Sequence, residues 1–167
     1  GGNGAFTYLW ESSTTSATSG FGPASGVNNE QTYTAGNLSQ TTWFRRTVFS
    51  GACSNTSRVL RITVTPTITN NSIASEQTIC ENAIPESLTG STPGGGNGTF
   101  TYLWESSTTG SSSGFSPANG TNNSINYTPA ALSVSTWYRR TVFSGGCSDI
   151  SPSVKITVTP LPIASIQ

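Results

Sequence analysis

The sequence has no histidine and no methionine, and its single lysine is Lys155. Without histidine, the usual general base at neutral pH and the commonest transition-metal ligand are both missing. Charge is scarce: seven basic and seven acidic side chains cancel. That balance, with no basic run, excludes a nucleic-acid binder, which must replace counterions along phosphate. Apolar runs extend over only a few residues, so no membrane insertion is expected in this segment. No apolar h-region opens the sequence, and any export signal is expected to lie outside it. No stretch shows a 3.6-residue apolar stripe. Four Trp, five Tyr and seven Phe nevertheless suffice for a core, and the low charge is unlike that of a repelling disordered tail.

Hydroxyls are abundant, with 27 Ser and 27 Thr, but a nucleophile needs a base within reach. Only Lys155 could serve, in a strand-like stretch with no motif around it, so no catalytic residue is expected. Gly94-Gly95-Gly96-Asn97-Gly98 lacks the following Lys and the helix that a phosphate-cradling loop requires. It reads as a turn entering a strand. Calcium needs clustered carboxylates, whereas Glu76, Glu81, Glu86, Glu105 and Asp149 are scattered. No metal and no cofactor are expected.

An internal repeat dominates what is present. Residues 1–66 align without a gap on 95–160, at an offset of 94, with 43 identities in 66 positions. Arg45-Arg46-Thr47-Val48-Phe49-Ser50-Gly51 returns intact at 139–145. The period exceeds that of solenoid repeats, about 20–50 residues, and suits a small domain in tandem. Ile73-Ala74-Ser75-Glu76-Gln77 returns with one change at 163–167, four residues early, a shortening that a connection tolerates better than a core strand. The expected organisation is therefore 1–66 as the later part of one unit, lacking its first strands; 67–72 as linker; 73–160 as a complete unit; and 161–167 as the start of another.

Within a unit, aromatic and β-branched residues alternate with polar ones at period two. The pattern predicts strands at 99–104, 135–144 and 153–159, with shorter ones at 76–80, 86–89 and 124–128. Gly and Pro punctuate the intervals. Six or seven short strands in about 88 residues read as an all-β, immunoglobulin-like β-sandwich. The repeat phase makes Cys53 and Cys147 equivalent and leaves Cys80 without a counterpart. The expected pairing is Cys80 with Cys147, with Cys53 unpaired, and such a bridge implies an oxidising compartment. The alternative is three buried thiols acting as small hydrophobes.

Thr78-Ile79-Cys80, Pro85 to Leu88, Gly95 to Ser107, Thr136 to Arg140 and the late Cys147 form a pattern covering nearly all of the chain. It resembles the PKD-like, immunoglobulin-like tandem repeats of giant Bacteroidota cell-surface proteins, including SprB-type gliding-motility adhesins. The resemblance implies secretion by the type IX route, display on the bacterial cell surface, and a structural or adhesive role. Neighbouring repeats, with surface polysaccharide or a substratum, would be the partners. The rival readings are a glycan-binding module and an accessory domain of a secreted polysaccharide-degrading enzyme.

Two side-chain groups carry residue-level expectations. Trp10, Trp104, Tyr8 and Tyr102 are expected in the core; Trp43 and Trp137 are either core or platforms on which sugar rings stack. Arg139 and Arg140 are adjacent in a strand, so they must point to opposite faces. Glu105 is the only acid in either of the neighbouring strands, which predicts a cross-strand link with one of the pair, and Glu11 with Arg45 or Arg46 likewise. The inward arginine is expected to lie over Trp104.

Overall fold

The computed structural model describes residues 4–74 and 76–163. They are all-β, with no helix among the described residues. The chain divides into two compact units, Gly1–Thr65 and Pro66–Gln167. The segment 67–72, expected as a linker, belongs to the second unit. Ile68 and Asn71 are buried there, and Thr69 makes a bridge to Gly94. Residues 1–3, Ser75 and 164–167 lie outside the described residues, and with them most of the stretch expected to open a further unit.

The first unit contains β1 (Thr7–Ser13), β2 (Gly22–Pro23), β3 (Thr42–Ser50), β4 (Cys53–Thr56) and β5 (Leu60–Ile62). They form one sheet in the order β2-β1-β3-β4, with β5 also paired to β3. The second unit contains β6 (Ile73–Ala74), β7 (Gln77–Cys80), β8 (Thr89–Gly90), β9 (Thr101–Ser107), β10 (Ser116–Pro117), β11 (Thr136–Ser144), β12 (Cys147–Ile150) and β13 (Val154–Thr159). Its main sheet runs β10-β9-β11-β13-β7, with β12 also paired to β11. Strands β6 and β8 pair separately. The 124–128 stretch forms no strand and contributes a single bridge, Tyr127 to Leu88.

The long strands form where alternation is strongest, and turns stop them. β11 and β12 are joined by Gly145-Gly146, with Ser144 opposite Cys147. The positive φ of Gly145, 60°, is what a two-residue hairpin requires. Hydroxyls hold the irregular segments. Ser107 Oγ donates to the Ser113 carbonyl and accepts from the amides of Thr109 and Gly110, a side-chain substitute for backbone pairing. Ser13 repeats this geometry in the first unit.

The core of the second unit lies on one face of its sheet. Register places Tyr138, Arg140 and Val142 on β11 across from Ser106, Trp104 and Tyr102 on β9, all on that face by period-two alternation. Leu88, Trp104, Ala118, Tyr127, Tyr138 and Ile156 form the buried cluster. Arg139, Glu105 and Trp137 point from the opposite face.

The expected Cys80–Cys147 disulfide is absent, and Cys53, Cys80 and Cys147 are free thiols. Topology explains this. Cys147 sits beside Ser144 at the far end of β11. Cys80 sits beside Thr159, three residues past Ile156, which faces Thr136 at the other end of β11. At about 3.3 Å per residue, the two cysteines are roughly 35 Å apart along the sheet, whereas a bridge needs Cα atoms within about 7 Å. The thiols are not small core hydrophobes either. Cys53 and Cys80 are exposed and Cys147 is partly so.

Candidate functional site

The two adjacent arginines of β11 build the most elaborate side-chain arrangement in the chain. Arg139 lies directly across from Glu105. Its Nε and Nη2 donate to the two carboxylate oxygens at 3.0 and 3.1 Å, the bidentate geometry that suits a planar fork to a carboxylate. The Thr141 hydroxyl donates to the same carboxylate at 3.0 Å. The guanidinium also covers the Phe115 ring at 4.1 Å from its centroid. The Arg139 hydrogen bond holds the Glu105 carboxyl below its usual value, against the opposing effect of burial.

Arg140 points the other way and is fully buried. All of its side-chain hydrogen bonds go to neutral oxygens. Nε and Nη2 donate to Asn71 Oδ1 at 3.1 and 2.9 Å, Nη1 to the Ile125 carbonyl at 2.9 Å, and Nη2 to the Ser91 carbonyl at 3.0 Å. Asn71 Nδ2 in turn donates to the main-chain carbonyls of Arg140 and Asp149, so one amide clips both the side chain and the backbone of the same residue. The guanidinium stands 5.2 Å from the Tyr102 ring and 5.9 Å from Trp104. Burial lowers its pKa from the ordinary value, although neighbouring oxygens supply the compensation that a buried charge needs.

The structure thus divides the two roles expected of the pair. The outward arginine makes the ion pair, and the inward one lies over Tyr102 and Trp104 without a carboxylate. The first unit repeats the outward half: Arg45 donates from Nε and Nη2 to Glu11 at 2.8 and 3.0 Å and covers Phe21 at 4.2 Å. That hydrogen bond raises the Arg45 pKa from its ordinary value. Arg46 differs. Nη1 reaches the Gln31 carbonyl at 2.7 Å, but its Nε is buried with no partner. Asn71, which lies in the stretch read as a linker, escaped sequence reasoning. The adjacent Asn70 at φ 56° marks a turn there, but no composition signal says where Asn71 points.

The aromatics sort by face. Trp104 is fully buried and stacks on Tyr127, which meets Tyr138. Trp10, Tyr33 and Phe44 repeat that ladder. Trp10, Tyr8 and Tyr102 are half-buried. Trp137 and Trp43 lie on the opposite face and are half-buried, with Lys155 Nζ 4.8 Å from one ring and the Arg61 guanidinium 5.7 Å from the other. Those ring faces already carry a cation.

The sequence matches one family twice, over residues 1–66 and 69–160, and that family is described as a domain of unknown function, DUF8696. The chain belongs to the DUF8696 family. No curated protein matches it. The second DUF8696 match begins at residue 69, inside the segment that folds with the second unit, and includes Asn71. Each matched region holds one outward Arg–Glu pair and one inward arginine.

Proposed function

We propose that the chain is a structural, adhesive segment of a long bacterial cell-surface filament, built from immunoglobulin-like, PKD-like sandwiches in tandem and exported by the type IX route. The carrying observation is that one chain holds the same framework twice, and in both copies its charged and aromatic side chains bind one another. Arg139, Glu105 and Phe115 satisfy each other, as do Arg45, Glu11 and Phe21. A repeated unit whose outward charged side chains are already paired with one another suits a spacer that extends a filament. The surface is nearly neutral and rich in hydroxyls, so neighbouring filaments would neither attract nor repel strongly.

Antibodies raised against the chain test this reading by immunogold labelling of intact cells. Label on surface fibres, and loss of attachment when the gene segment is deleted, are expected. Label confined to the cytoplasm would sink the proposal. Binding of the purified chain on a glycan array would instead favour a glycan-binding module, despite the cations over Trp43 and Trp137.

A further inference from the structure

Where the start of β11 meets the end of β9, the second unit holds a hollow of about 240 Å³. Its lining mixes Ser106, Thr108 and Ser133 with Tyr127, Leu132 and Val134. Among the described residues, no charged side chain lines it.

Tyr138 lines the same hollow. It is only 3% exposed, yet its hydroxyl has no hydrogen-bond partner among the described residues. Two neighbouring hydroxyls are already committed: Tyr127 donates to the Asn119 carbonyl at 2.8 Å, and Thr136 to the Val134 carbonyl at 3.0 Å. The Tyr138 oxygen is not sealed in the core, because Arg46 Nε is the one fully enclosed side-chain polar atom without a partner among the described residues. It therefore opens on the hollow. A buried phenol ordinarily finds a partner, and a buried donor left unpaired is costly.

The lining defines what would fit. An ion would lose its hydration and meet no opposite charge, so the occupant is neutral. It must offer an oxygen to the phenol. It must also match the hydroxyls of Ser106, Thr108 and Ser133, which have no partner among the described residues, and present C–H surface to Leu132, Val134 and the Tyr127 ring. The volume lies below the roughly 300–1,000 Å³ that encloses a drug-sized ligand, which suits one ring and not a chain of them. A pyranose combines these properties.

We propose that this hollow is a site for one neutral sugar residue, with Tyr138 donating to one of its oxygens. The first unit keeps Ser12, Thr14, Tyr33, Leu38 and Ser39 at the equivalent positions but has Phe44 in place of Tyr138 and Gln40 in place of Val134. It lacks the phenol, so one site per chain is expected. The site goes beyond the filament role and does not depend on it. A hexose has about a dozen heavy atoms, which at ordinary ligand efficiencies gives a Kd of about 1 mM. That is too weak for retention on a washed array, so occupancy is read at equilibrium.

The test titrates the nitrogen-labelled full chain with glucose, galactose or mannose and follows its amide resonances. Saturable shifts of Ser106, Ser133 and Tyr138 with at least one of these sugars are expected, without matching shifts of Ser12, Ser39 and Phe44. Tyr138→Phe should weaken binding of that sugar about fivefold or more, the loss of one neutral hydrogen bond, while the remaining amide resonances stay in place. The matching uronate, which keeps the ring and adds a charge, should bind more weakly. A disaccharide ending in the same sugar separates two sources: equal binding marks the end of a glycan chain as the occupant, loss of binding marks a free sugar, and both support the site. No shift with any of the three sugars, equal binding by Tyr138→Phe or by the uronate, or parallel shifts in the first unit would overturn the proposal. Surface labelling of cells would be unaffected by that failure, so the two readings fail separately.

Discussion

At the scale of single residues, the two arginines of β11 are chemically identical and energetically unlike. Arg140→Lys would replace a buried fork that makes four hydrogen bonds with one point charge. A loss of about 2–4 kcal/mol in urea unfolding is expected. Arg139→Lys, at a half-exposed ion pair, should cost less than about 1 kcal/mol. Equal losses would mean that Arg140 is not held as described. Glu105, held below its usual pKa by Arg139, contributes stability that is present above its ordinary value and lost as the pH falls through the folded one. Glu105→Gln should therefore flatten the melting temperature against pH below about pH 4. Tyr138 behaves oppositely, since burial, with a smaller push from Tyr127, raises it to about 12. Its unfolded form ionises first, near pH 10, so stability should fall between these two values. Tyr138→Phe, which places there the residue found at Phe44, should remove that part of the alkaline decline. The thiols give a simpler outcome: alkylation of the denatured, unreduced chain should add three labels per molecule, and a value of one would restore the bridge.

At the scale of elements, β9 and β11 were legible because their alternation is strong, and the hairpin after β11 because Gly145-Gly146 marks it. The link between Glu105 and the arginine pair was legible too, since adjacent strand residues must diverge and only one acid was within reach. Short elements were not. β6 and β8 have two residues each, and the 66–74 stretch joins the unit through Asn71 and Ile68 rather than through any periodic pattern. The cysteine pairing failed for a related reason. Equivalence between repeats identifies corresponding positions, but the parallel β7–β13 pairing that separates Cys80 from Cys147 depends on contacts distant in sequence. β8 offers a test of the close fit around Arg140. A Cβ added at Gly90 would collide with the Arg140 guanidinium and the Ile125 carbonyl, so Gly90→Ala should destabilise the second unit by about 1–3 kcal/mol. Gly146→Ala, with open space around it, should change stability far less.

At the scale of the whole molecule, two units with the same sequence pattern differ in how much of one sheet face is covered. Hydrogen exchange should report this as weaker protection for the amides of β3 than for those of β11, because sub-global opening follows local burial. Equal protection would contradict the difference between the half-buried Val48 and the fully buried Val142. The parallel pairing of β7 with β13 has one more consequence. Parallel neighbours have their outer termini at opposite ends, so tension applied before β7 and after β13 slides one strand along the other. The register from Gln77–Ile156 to Cys80–Thr159 would then carry load in shear, with its hydrogen bonds strained together instead of unzipping one at a time.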